Sequence, residues 1–201
     1  MTEAYAGAEA LESTDNYSLT IVRKNGRILL GRKTRGFGMG RLVAPGGKDE
    51  YELAFGMNFW DALRENARSE LSQETGLDLV TSSFRWVGNL NLTDSEDETS
   101  TVTLFVVDCP PSKETRDEDS REDPELVDLE WFQEDQIPYD RMPDDYRFWL
   151  PYILSGERVT AFFRDEGDSL VNGEVYHQKI EPELERMQLV KVVGGAVLQA
   201  A

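Results

Sequence analysis

Glu70-Leu71-Ser72-Gln73-Glu74-Thr75-Gly76-Leu77 is the stretch whose reading decides the fold. Just upstream, Leu63, Ala67 and Leu71 recur every four residues, which predicts a helix over 61–75 with one apolar stripe. Asp61 is placed to cap its start, and Gly76 suits a left-handed C-terminal position. Residues four apart share a helix face, so Glu70 and Glu74 project together with Gln73 beside them. Leu71 points to the opposite side. Two carboxylates on one face repel unless water or a cation neutralises them. A solvated acidic face meets that need, and so does a site for a hard cation such as Mg²⁺, which takes carboxylate oxygens and substrate phosphates. Gly46-Gly47 reads as a turn before the helix.

Strand signals surround this helix. Leu19-Thr20-Ile21-Val22 and Arg27-Ile28-Leu29-Leu30 flank Asn25-Gly26, a hairpin signal because both residues tolerate positive φ. Residues 83–92 and 101–109 read as strands joined by the acidic segment 94–100. Residues 110–124 are charged and poor in apolar side chains, which predicts an exposed loop. Leu129 to Phe132 is a short strand. Pro143-Asp144-Asp145 can start a helix running to Ser155. Residues 159–163 and 170–178 resemble a last hairpin. The expected organisation is a mobile leader over 1–16, one domain over 17–180, and a helical or frayed tail over 181–201. Strands and helices in this order predict an α/β (α+β) fold, a mixed β-sheet sandwiched between helices.

Composition narrows the function. The chain has 201 residues and is 39% hydrophobic, with 4 Trp, 7 Tyr and 9 Phe, enough for a packed core. It carries 39 acidic against 21 basic residues, a net charge of −18. Such a surface repels duplex nucleic acid and anionic lipid, but a divalent cation can still bridge it to a phosphorylated small molecule. The lone Cys109 ends an apolar run and reads as a buried structural thiol. With no basic, apolar leader, a cytoplasmic place is expected. The lone His177 falls in the last hairpin and no Gly-x-Ser-x-Gly elbow occurs, which speaks against a nucleophilic serine or cysteine mechanism.

The helix segment resembles the Nudix box. That family pattern runs Gly, five residues, Glu, seven residues, then Arg-Glu-apolar-any-Glu-Glu-any-Gly-apolar. Glu70, Leu71, Glu74, Gly76 and Leu77 match it, and Gly46-Gly47-Lys48 resembles the opening of the box in MutT-type members. Gly31 to Arg41, Trp131 to Pro138 and Met142-Pro143-Asp144-Asp145 are similar to further blocks of the oxidised purine nucleoside triphosphate hydrolase subgroup. The resemblance runs in order over residues 17–178. It implies the Nudix fold with a loop-helix-loop metal site, and a Mg²⁺-dependent pyrophosphohydrolase for which Mn²⁺ can substitute. Its metal set would be Glu70, Glu74, Gly47 and Glu125, with Glu70 and Glu74 catalytic. A second reading of Glu125 is one more charge in an acidic loop. Arg41 and Lys48 would contact phosphates, and solubility explains them almost as well. Ser18, Phe37, Asp144 and Asp145 resemble base-pocket positions, although capping also suits the Asp pair and core packing suits Phe37.

The chain departs from the pattern at several points. Ser69 stands where the family has Arg, with Arg68 adjacent, and Gln73 replaces the first Glu of the Glu-Glu pair. An insert over 51–60 lengthens the box. Its early Glu corresponds to Glu52 or Asp61, and the distance back from Glu70 favours Asp61. Val43 takes the place of the Asn that reads a purine edge, which puts 8-oxo-guanine specificity in doubt. The implied partner is a small nucleotide, with no duplex nucleic acid and no membrane, and the protein would be a monomer or homodimer. The products expected from a triphosphate are nucleoside monophosphate and pyrophosphate. Two other readings stay open. One is a Nudix hydrolase of another nucleoside diphosphate derivative, and the other is a catalytically impaired nucleotide- or protein-binding module.

Overall fold

Tertiary pairing lengthens most of the predicted strands. The computed structural model describes residues 15–49, 58–115, 124–166, 169–179, 188–193 and 196–198. In chain order the elements are β1 (Asp15–Lys24), β2 (Arg27–Lys33), β3 (Leu42–Val43), β4 (Gly46–Lys48) and α1 (Phe59–Thr75). Then come β5 (Arg85–Thr93), β6 (Thr99–Asp108), β7 (Leu126–Gln133) and α2 (Tyr146–Leu154). The last are β8 (Glu157–Glu166), β9 (Ser169–Lys179), β10 (Gln188–Val193) and β11 (Ala196–Leu198). Residues 1–14 of the expected leader, most of the 51–60 insert including Glu52, and 116–123 of the acidic loop lie outside the described residues.

The Asn25-Gly26 turn forms as predicted, with φ of 52° and 71° and Lys24 opposite Arg27. Beyond that turn β1 and β2 part. β1 runs parallel to β6 from Asp15 opposite Ser100 to Arg23 opposite Asp108. This long register explains why Asp15 and Asn16, expected in the leader, are strand. On its other side β1 pairs with β4 through Tyr17, Ser18 and Leu19. β2 diverges to pair with β3 and β7. β5 joins β6 antiparallel and β8 parallel, so the sheet is mixed. The fork between β4 and β2 opens the space in which the site lies.

Each face of the sheet carries a helix. Successive strand residues point to opposite faces. Val22, Leu29, Phe105 and Val107 pack under Leu63, Ala67 and Leu71 of α1. Ile21, Leu30, Leu104 and Val106 pack under Trp149, Leu150 and Ile153 of α2. A side chain as fully buried as Leu71 contributes about 2 kcal/mol by leaving water. This is the α+β architecture that the patterning predicts.

Two helix boundaries and the tail differ from expectation. α1 starts at Phe59, and Asn58 rather than Asp61 caps it, its Oδ1 accepting the Asp61 N–H at 3.0 Å. Gly76 closes the helix at φ 75°, as expected. α2 begins at Tyr146, after the Asp144-Asp145 turn. The expected helical or frayed tail instead contains β10 and β11, with Val190 of β10 opposite Val175 of β9. Leu189, Val190, Val192 and Val193 favour strand, and the exposed edge of β9 offers them a backbone ladder.

Candidate active site

The site begins with Gly46 and Gly47. β4 is squeezed between β1 and α1, leaving no room for side chains. A Cβ on Gly46 would meet the Ser18 carbonyl oxygen and come within 2.9 Å of the Leu19 Cα. One on Gly47 would strike the Glu70 carboxylate. The close approach lets the Gly46 N–H donate to Glu74 Oε2 at 2.7 Å. Glu74 is buried, and burial pushes its carboxyl up to about 8, with Glu125 and Glu70 adding repulsion and Lys33 opposing it. The carboxylates that helical spacing puts on one face, Glu70 and Glu74, therefore both lie against the Gly-Gly strand.

Glu125 joins them from the residue just before β7. Its carboxylate pairs with Lys33 at 3.2 Å and Arg35 at 3.7 Å. Lys33 was not singled out by sequence reasoning. Its signal was the position at the end of β2, where it faces the carboxylate helix across the fork. Among the described residues, no three of His, Cys, Asp and Glu already converge at metal-ligand spacing. The donors nevertheless fit a hard divalent cation in kind. They are all oxygens, and the most buried of them, Glu74, feels repulsion from Glu125 and Glu70 that a bound cation would relieve.

A cavity of about 580 Å³ opens beside this group. Gly46, Gly47, Lys33 and Glu125 line part of it, and Val43, Leu90, Leu92, Val102, Leu126 and Tyr146 supply apolar wall. Ser18 is fully buried, lines the cavity and lies beside Asp49, whose carboxyl burial lifts to about 6. Phe37 stands at its rim, half-exposed. The loop carrying Phe37 turns through Gly36 and Gly38, each in the left-handed region at φ 72° and 75°. Asp145 lines the cavity as well, its Oδ2 accepting the Trp149 indole N–H at 2.8 Å. The fully buried Trp149 packs in the α2 core. The Tyr146 hydroxyl accepts the Ala44 N–H at 3.2 Å, tying α2 to the link between β3 and β4, where Gly46-Gly47 is strand rather than the expected turn.

Other expected positions fall elsewhere. Asp144 is 41% exposed beside Arg147 and does not line the cavity, so the Asp pair is split. Lys48 pairs with Asp15 at 2.5 Å, and Arg41 donates to the Met142 carbonyl at 3.1 Å; neither lines the cavity. Asp61 bonds Asn58 and Arg64 at the far end of α1. Gln73 donates to Ser69 Oγ at 2.9 Å, so two departures from the family pattern bond each other on an exposed face. Arg68 is taken by Glu65 and Asp78. His177 is buried, bonds Glu157 at 2.6 Å and stacks on Tyr152, a structural role. Cys109 is a buried free thiol. Sequence reasoning also missed Asp165, a buried cavity-lining carboxylate that falls between the two runs of the expected last hairpin.

Asp145 makes stability depend on pH. Burial raises its carboxyl to about 6, with Asp144 adding to the rise and Trp149 opposing it. The folded state thus favours the protonated form. Below the unfolded value near 3.8 there is no penalty; stability then falls as pH rises, until the folded group ionises at about 6. Between about pH 4 and pH 7 this group should remove roughly 2–3 kcal/mol. Asp145→Asn keeps an acceptor for Trp149 and should abolish that part of the slope. Urea melts of both proteins at the two pH values check this. An unchanged slope would show that Asp145 is not held protonated.

The family model described as NUDIX domain matches residues 14–153. The oxidized purine nucleoside triphosphate hydrolase of Mus musculus is 33% identical over 155 residues, covering 74% of this chain and 85% of that protein. Its counterpart of the same name in Danio rerio is 29% identical over 155 residues, covering 77% and 88%. A mutator MutT protein from Bacillus halodurans has a similar structure, with a TM-score of 0.58 at 23% identity over 80% of this chain and 97% of that one.

Proposed function

The chain belongs to the NUDIX family of hydrolases, and from that premise we propose that it converts nucleoside triphosphates to nucleoside monophosphate and pyrophosphate with the help of Mg²⁺. The observation that carries this reading is the packing of Glu70 and Glu74 against Gly46-Gly47, with Glu125 close enough to repel Glu74, beside a nucleotide-sized cavity. Its volume, about 580 Å³, falls within the usual range for small-molecule sites. The names of the mouse and zebrafish relatives favour purine triphosphates.

Glu70, Glu74, Glu125 and the Gly47 carbonyl would hold the metal. Bound there, Mg²⁺, or Mn²⁺ in its place, supplies a Lewis acid for phosphate oxygens and acidifies water. The Gly46 N–H fixes the Glu74 carboxylate through Oε2 and so sets its orientation. Lys33 and Arg35, released from Glu125, are placed to neutralise phosphate charge. Phe37 offers a ring to a base at the cavity rim. Val43 on the wall can pack against a purine but not hydrogen-bond its edge, which favours a broader substrate range than 8-oxo-guanine alone.

The Gln73–Ser69 bond favours one second reading, an impaired module that binds nucleotide without turnover. A pyrophosphate-release assay with and without Mg²⁺ tests both. The panel is the ordinary nucleoside triphosphates and 8-oxo-dGTP, with ADP-ribose and diadenosine polyphosphate read through an added phosphatase. Metal-dependent release from a triphosphate is expected. Turnover of only the last two would move the substrate class. Silence from folded protein would select the binding module.

A further inference from the structure

Strand β8 buries Val159, Ala161 and Phe163 and exposes or half-exposes the residues between them. The next inward rung of this apolar face is a carboxylate, Asp165, only 9% exposed. A buried charge is costly unless something pairs with it. The ladder is also irregular at this residue. Arg164 lies opposite Asn172 but Asp165 lies opposite Leu170, so Val171 is skipped. Such bulges re-aim side chains and are common beside functional sites.

Asp165 lines the same cavity as Asp145. Among the described residues none hydrogen-bonds its side chain; burial and the charges of Asp145 and Asp144 act on it, and these lift its carboxyl to about 7. One oxygen of Asp145 is already taken by Trp149. Lys33, the cation on the cavity wall, is committed to Glu125. A buried carboxyl on a cavity wall is thus left with open acceptor sites, next to a second carboxyl, and burial disposes both to hold protons.

Resting on the reading that this cavity receives the base of a nucleotide, the geometry points to Asp165 as a specificity-determining residue that accepts the paired N–H donors of a guanine-type edge. Both carboxylate oxygens can accept at once, one from the ring imino N–H and one from the exocyclic amine. Two N–H donors bound to Asp165 favour its ionised form, and a proton kept on Asp145 can then be donated to the neighbouring base carbonyl. An adenine edge, with one donor and one acceptor, leaves part of this pair unsatisfied. Asp165 thereby takes the place beside Asp145 that the adjacent Asp144 does not occupy.

The test is calorimetric binding of dGMP, dIMP and dAMP to the full-length protein and to Asp165→Asn and Asp165→Leu. The inosine base lacks only the exocyclic amine. Wild type should bind dGMP at least about tenfold more tightly than dIMP. Asp165→Leu should reduce that ratio to about twofold or less, and Asp165→Asn should shift preference toward dAMP, because an amide matches a donor–acceptor edge. A dGMP to dIMP ratio near unity in wild type, or a ratio that both variants preserve, overturns the inference. In either case Mg²⁺-dependent pyrophosphate release by wild type leaves the hydrolase reading standing. Failure of wild type both to bind a monophosphate and to release pyrophosphate overturns the two together.

Discussion

Glu70→Gln should hydrolyse nucleoside triphosphate about a thousandfold more slowly than wild type while melting at the same temperature. The amide keeps the shape of the side chain, so the contact with Gly47 and the α1 packing survive. What is lost is a negative oxygen donor at the metal position. A thousandfold loss corresponds to about 4 kcal/mol of transition-state stabilisation, in the range expected when a metal's charge is mispositioned. Steady-state pyrophosphate release and a thermal melt on the same preparation measure both halves. Turnover within about threefold of wild type would remove α1 from the chemistry.

Gly46→Ala should fail for a different reason. The new methyl would collide with the backbone of Ser18 and Leu19, and backbone held in the β1–β4 ladder cannot swing aside. The cost should exceed about 4 kcal/mol, enough to unfold most single domains of ordinary stability. Gly47→Ala provides the contrast. Its methyl meets the end of the Glu70 side chain, which can rotate away. That variant should stay folded and lose turnover through a displaced carboxylate. Denaturant melts with parallel assays separate the outcomes. A Gly46→Ala protein as stable as wild type would contradict the close approach of β4 to β1.

The carboxylate helix was legible because helical spacing is local. Glu70, Glu74, the Leu63–Ala67–Leu71 stripe and the Gly76 stop all follow from a period that needs no partner. The Asn25-Gly26 hairpin was legible for the same reason, since positive φ is a property of the residues themselves. Strand ends were harder. Asp15 and Asn16 look like leader and become strand only because β6 lies alongside them. The last strands depend likewise on an edge built far upstream in the chain.

The site divides in the same way. Acting alone, the sequence determined the fold class, the family resemblance and the two helix carboxylates, because each rests on residues a turn or a motif apart. Only the tertiary structure decided which side chains line the cavity beside them. It brought Lys33 and Glu125 together across the β2–β7 pairing. It turned Asp144 outward and Asp145 inward, although they are neighbours. It also buried Asp165 through strand alternation and a bulge, although the residue falls between the two strand runs read from the sequence. Local rules give the direction of a side chain relative to its own backbone. What that side chain meets depends on strand order and register, which long-range pairing sets.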